Sequence, residues 1–295
     1  MQRRSFLKNS SLALVAAGGA RAIPIQKQKK DGIGPSLALN AYSFSRPLLG
    51  GSMSLEELFS FAAKTGFEAV DLTAYYIPGY PEVPEDRVLF DIKKMAFRLG
   101  IGISGTGVRN DFTVSDPEEL KSNIKLVKNW IVAASKLGVP HVRVFAGKGE
   151  DNVEPRKNVK SRIITSLQEC ADFAENHGVM VAFQNHHDFI KSTKETIEIV
   201  EGVKSDWFGL MIDIGSITAT DVYGDIEKLI PHAITWQVKE NVRSGGVMVP
   251  TDFEKLMKIV HRSKYTGYFP VETLGEGDPI VKVTKLVESL APYFS

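Results

Sequence analysis

The chain has 295 residues, 43% of them hydrophobic, which is enough to bury one large core. Its formal charge of +1 falls to −3 if residues 1–22, with four cations and no acid, are removed as a leader, and a mildly acidic product lacks the electrostatic footprint of a nucleic-acid binder. A single cysteine, Cys170, excludes an internal disulfide, and its place among Ile163, Ile164, Leu167, Ala171 and Ala174 assigns it to the apolar face of a helix.

Taken in order, residues 1–22 read as a signal peptide rather than part of the fold. Gln2-Arg3-Arg4-Ser5-Phe6-Leu7-Lys8 is a twin-arginine motif, Ser11 to Ala17 is apolar, and Ala20-Arg21-Ala22 offers a cleavage site. The expectation is export by the twin-arginine route to the periplasm, a linker over 23–34 and one domain over 35–295. No later apolar run approaches the roughly 18 residues needed to span a bilayer, so no membrane association is expected after cleavage.

From Ser36 the chain alternates short apolar runs with helical patterns. Strands are predicted at Ser36–Asn40, Gly66–Leu72, Ile101–Gly105, His141–Phe145, Val181–Gln184, Phe208–Asp213, Ala233–Val238 and Gly267–Glu272. Helices are predicted between and after them: Leu55–Lys64, Asp86–Leu99, Pro117–Leu137, Asn158–Asn176, Thr193–Glu201, Asp225–Leu229, Phe253–Val260 and Pro279–Leu290. Their ends carry the usual signals. Ser54 with Glu57 makes a capping box, Gly100 a C-cap, and Asp116-Pro117 and Asp278-Pro279 N-caps with proline in the first turn. Eight such units match a single-domain (β/α)8 TIM barrel. A doubly wound sheet competes, but the first strand–helix turn, Asn40 to Ser45, has no glycine fingerprint, and no nucleotide cofactor is expected.

In such a barrel, chemistry sits at the C-terminal ends of the strands, and these ends are polar. Residues two apart share a face, so Arg143, Gln184, Asp213, Gln237 and Glu272 point into the mouth while Phe183, Ile212, Trp236 and Val271 pack outward. Val181 to Asp188 is the most telling stretch, an apolar run that ends in Gln184-Asn185-His186-His187-Asp188. Its two histidines suit acid–base work, and Lys239 suits stabilisation of an enolate, with a salt bridge to Glu240 or Asp213 as its structural alternative. Arg143 reads either as a clamp on substrate or as an ion pair with Asp71 or Asp213. The four other histidines are placed away from the mouth, His141 at the bottom of the barrel.

This order of motifs resembles the sugar phosphate isomerase/epimerase superfamily, the xylose isomerase-like TIM barrels, over nearly the whole chain from Ser36. In that family strand five ends in Glu-Asn-His, strand six in Asp, strand seven in His-x-Lys-Asp and strand eight in Glu, and the four side chains hold a divalent metal. Here the corresponding residues are Gln184, Asp213, Gln237 and Glu272. The resemblance implies a candidate site for Mg²⁺, Mn²⁺ or Ca²⁺, weakened by two amides where a glutamate and a histidine are expected. It also implies that Glu272 is the proton-moving carboxylate, with His186, His187 or Lys239 as its partner, and that homo-oligomers, common among relatives, are open to this chain. The histidine-rich zinc site of endonuclease-IV-like relatives is missing from the pattern, which argues against DNA as a substrate.

Aromatic residues crowd the loops behind the first three strands: Tyr42, Phe44, Tyr75, Tyr76, Tyr80 and Phe112. Flat rings above polar tips suit a small-molecule sugar, with Asn40, Tyr42, Arg143, His187 and Glu240 as candidate contacts. The expected activity is proton abstraction beside a sugar carbonyl, as in an isomerase or epimerase. Two alternatives stay open: β-elimination on a keto-sugar or keto-glycoside, and a non-catalytic sugar binder with a decayed metal site.

Overall fold

A computed structural model describes residues 34–149 and 154–294. The expected leader and nearly all of the linker lie outside the described residues. Eight parallel strands close into a barrel: Ser36–Asn40, Ala69–Asp71, Gly102–Gly107, His141–Val144, Met180–Gln184, Phe208–Asp213, Ala233–Lys239 and Tyr268–Glu272. Each pairs with its sequence neighbour, and the eighth returns to the first with Leu39 beside Val271. The predicted TIM barrel is therefore the observed fold.

The local signals act where they were read. Ser54 Oγ accepts from the Glu57 backbone N–H while Glu57 returns a bond to the Ser54 N–H, opening the helix Leu55–Thr65. That helix closes at Gly66, whose φ of 90° a residue with a side chain would resist. Asp116 caps Pro117–Leu137 through the N–H groups of Glu118 and Glu119. Cys170 is fully buried in Arg156–Glu175, where desolvation pushes its thiol up to about 12 and leaves it inert.

Strand alternation sorts the side chains into two populations. Leu37, Leu39, Val142, Val144, Val181, Phe183, Leu210, Ile212, Trp236, Val238, Phe269 and Val271 face outward and join the helices in one hydrophobic core. Asn40, Asp71, His141, Arg143, Gln184, Asp213, Thr235, Gln237 and Glu272 are equally buried but face inward, giving a polar lumen.

Two features depart from the expected pattern. A three-stranded sheet made of Thr218–Ala219, Asn241–Ser244 and Val247–Pro250 stands on the rim after strands six and seven. The predicted helix Asp225–Leu229 starts earlier, at Val222, because Asp221 caps it through the Gly224 N–H. Among the described residues, no helix is long and apolar enough to cross a membrane.

Candidate active site

Strand register brings the polar tips together. Glu272 lies beside Lys239, Asp213 beside Gln237, and Gln184 beside Met211, all on the lumen face. Glu272, Lys239, Gln237 and Gln184 line the floor of a cavity of about 890 Å³ at the C-terminal mouth, lined also by Asn40, Tyr42, Arg143, His186, His187 and Glu240. All eleven residues singled out from the sequence contribute to this region, and ten of them line the cavity. Asp213 lies just beneath, fully buried.

Asp213 is surrounded by donors. Its Oδ1 accepts from the Gly215 N–H at 3.0 Å, and its Oδ2 from Gln184 Nε2 at 2.7 Å and Ser216 Oγ at 2.8 Å, with Lys239 Nζ at 3.4 Å. Burial alone would raise its pKa, but Lys239, Ser216 and Gln184 outweigh it and hold the carboxyl below its ordinary value. Asn185 locks the same tip from behind, donating to the Asp213 carbonyl and accepting from its N–H.

Glu272 is the opposite case. It is 1% exposed, and the contact of its Oε2 is Lys239 Nζ at 3.3 Å. Burial, reinforced by the charge of Asp213, raises its pKa above the ordinary glutamate value despite Lys239. Lys239 sits between the two carboxylates, which raise its pKa against the opposing effect of burial. It therefore stays an ammonium.

The rim residues take more local roles. His186 Nδ1 lies 2.9 Å from Asp188 Oδ2, and its ring stacks on His187 with centroids 4.5 Å apart. Burial lowers the His186 pKa, so the neutral imidazole is favoured at pH 7. His187 Nδ1 meets Ser216 Oγ at 3.3 Å. Glu240 pairs with Lys282 at 2.9 Å rather than with Lys239. The Asn40 carboxamide caps its own turn by accepting from the Tyr42 N–H.

Arg143 pairs with neither aspartate. Its Nη1 donates to the Val108 carbonyl at 2.7 Å and to Tyr75 Oη at 3.1 Å, and its guanidinium lies 4.1 Å from the Phe145 ring centroid. Asp71 faces His141 instead, at 3.7 Å, so His141 is a lumen residue despite starting its strand. Of the six loop aromatics, Tyr42 and Tyr75 line the cavity, while Phe44, Tyr76 and Phe112 are core. Two participants went unnoticed in the sequence: Ser216, and Arg109, whose guanidinium lies 4.9 Å from the Tyr75 centroid. The turn Asp213-Ile-Gly-Ser216 was the available signal for Ser216.

The four residues that the family pattern assigns to a metal do not fit one. Ionised Asp213 can only accept, so Gln184 must present its N–H₂ there, and Gln184, Ser216 and Lys239 together crowd Oδ2 while the Gly215 N–H holds Oδ1. Gln237 offers a neutral amide. Among the described residues, the one grouping of three metal-capable side chains is at the rim, His186, His187 and Asp188, with ligand atoms within 4.8 Å of one another.

A closed parallel barrel with two buried carboxylates and an ammonium at its C-terminal mouth defines the class to which these features belong. The chain is a member of the xylose isomerase-like TIM barrel family, whose model matches residues 59–292. Similar solved structures include a 3-keto-D-glucoside 4-epimerase from E. coli, 11% identical, with TM-score 0.71 over 88% of this chain and 99% of that one. A D-psicose 3-epimerase with D-tagatose from Clostridium cellulolyticum H10 is 16% identical, TM-score 0.67, over 85% and 89%. A xylose isomerase-like protein from Mycobacterium smegmatis in complex with magnesium is 15% identical, TM-score 0.65, over 88% and 98%. At these identities the likeness is one of fold. No match was found among curated proteins.

Proposed function

We propose that this protein is a sugar isomerase or epimerase-like enzyme that abstracts a proton from a carbon beside a sugar carbonyl. The observation that carries the reading is the contrast between two buried carboxylates either side of one ammonium. Asp213 is held as an anion by its donors, while Glu272 has one cationic neighbour and a raised pKa, the state of a base rather than an anchor.

Glu272 removes the proton, the C–H pair becomes the C=C of an enediolate, and the carbonyl π pair moves onto oxygen. Return of the proton to the neighbouring carbon, with the hydroxyl proton passing from one enediolate oxygen to the other, isomerises the sugar, and return to the opposite face of the original carbon epimerises it. Arg143, His187, Asn40 and Tyr42 lie on the cavity wall where hydroxyls and a ring face would be held. The sugar activities named for the E. coli and Clostridium neighbours support this substrate class.

Gln184 favours a second reading. An amide bonded to Asp213 cannot return a proton from the opposite face, which leaves His186, His187 or Lys239 to do so. If no proton returns and a substituent leaves from the β-carbon with its bonding pair, the same base performs β-elimination on a keto-glycoside.

Solvent-deuterium exchange into a panel of keto-sugars and 3-keto-glycosides, followed by NMR, tests both readings. Wild type should incorporate deuterium or release the substituent, and Glu272→Gln should be slower by about 10²–10⁴-fold. No turnover across the panel would favour a sugar binder, and an unimpaired Glu272→Gln would remove Glu272 as the base. Export through the Arg3-Arg4 motif belongs to the same reading, and places the enzyme among periplasmic sugars.

A further inference from the structure

We infer that the Lys239 ammonium is the resident cation of this site, standing between Asp213 and Glu272 in place of a divalent metal. The inference rests on the proposed function for what the cation does, but not for which cation is present.

Three observations converge. Lys239 Nζ is 3.4 Å from Asp213 Oδ2 and 3.3 Å from Glu272 Oε2, so it bridges the two carboxylates left from the family's set. Its seat is built. Gly215 lies under the lysine stem, where an added Cβ would stand 2.5 Å from Lys239 Cδ. The same Gly215 N–H anchors Asp213, so one turn both orients the carboxylate and opens the channel for the lysine.

The third observation is the donor chemistry of Gln184 and Gln237. With a glutamate in place of Gln184 there would be three carboxylates, and a dication together with a lysine would leave the cluster neutral. With two, Lys239 already reduces the charge to −1. A dication would bring it to +1 and put two cations side by side in a buried site, which is unfavourable in low dielectric. The contacts of Asp213 point the same way, because Gln184 and Ser216 donate to the same Oδ2 that faces Lys239.

An ammonium has three N–H bonds. Both carboxylates lie within ion-pair distance of Nζ, and Lys239 also lines the cavity, so the ammonium faces anions and substrate space together. It would donate to the carbonyl oxygen as negative charge develops there. Lys239 belongs to the family's His-x-Lys-Asp motif, so the change in this chain is the loss of the competing ion's ligands rather than the gain of the lysine.

The test reads ion binding directly. Wild type purified without chelator should hold no stoichiometric divalent metal by plasma mass spectrometry. Its Tm should be unmoved by Mn²⁺, Mg²⁺ or EDTA. The variant Gln184→Glu/Gln237→His/Lys239→Ala should gain a Tm that rises by several degrees with Mn²⁺. Should that variant fail to fold, the wild-type measurements decide alone. A full equivalent of metal in wild type that survives His187→Ala, and whose removal lowers Tm, would overturn the inference. Metal that disappears in His187→Ala belongs to the rim cluster and leaves Lys239 as the interior cation. A metal-free protein that exchanges no deuterium would sink the proposed function but not this assignment.

Discussion

Glu272 and Asp213 are one methylene apart in chemistry and are buried alike, yet their environments drive them in opposite directions. Asp213 collects four donor contacts, whereas Glu272 faces one ammonium across 3.3 Å. A raised carboxyl keeps its proton to higher pH in the native state than in the unfolded chain. The stability it contributes is therefore full below the unfolded pKa and is lost as pH rises through the folded one. Exchange needs the deprotonated form, so the acid limb of kcat/KM should lie above the ordinary glutamate value of about 4.3. Lys239 is what restrains that rise. Lys239→Met should move the limb to still higher pH, and by stranding two buried carboxylates it should cost about 3–5 kcal/mol of stability. A pH profile of the exchange assay checks this, and a limb that stays or falls would show that another group titrates. At this scale the sequence displayed the residue types and their order. It did not display which acceptor Gln184 would satisfy, because an amide's orientation is set by its neighbour.

At the scale of elements, strand four is shaped by strand three. His141 and Arg143 are large lumen residues, and strand three faces them with Gly105 and Gly107. A Cβ at Gly105 would stand 2.2 Å from His141 Nε2, and one at Gly107 2.9 Å from the Arg143 guanidinium carbon. The glycines thus hollow out one side of the barrel so that a polar stack can fill it. Gly105→Ala should cost about 1–3 kcal/mol by overpacking. In a His141→Ala background most of that cost should vanish, and a double-mutant cycle by urea unfolding measures the coupling. Additive losses would mean that the glycine serves the backbone instead. This pairing was hidden in the sequence. A glycine run in a strand reads as weak propensity, and the facing side chain lies more than thirty residues away. The rim sheet was hidden for a similar reason. Asn241–Ser244 and Val247–Pro250 are four residues each and pair with one another, and only Asn241–Ser244 also pairs with a two-residue strand from the preceding loop.

For the whole molecule, the barrel was the most legible feature because every level of the sequence agrees on it. Apolar strand runs followed by helical patterns repeat eight times in one polarity, caps and glycine stops mark several of the helix ends, and closure follows once each strand's outward face has a helix to bury it. The lumen inherits function from the same alternation, since the outward face must be apolar and the inward tip is left free to vary. That freedom is where Gln184 and Gln237 stand. The proposed leader rests on different physics: in that reading Arg3-Arg4 and the apolar run Ser11 to Ala17 are an address for a transport receptor rather than a packing element. Export and folding should therefore separate cleanly. Arg3→Lys/Arg4→Lys should abolish periplasmic recovery while the retained protein keeps its Tm and its exchange activity. Fractionation with immunodetection reads the first and thermal melting of the cytoplasmic pool the second. Continued export of the double variant would assign the segment to another route, and a lowered Tm in the retained pool would make the N-terminus part of the fold.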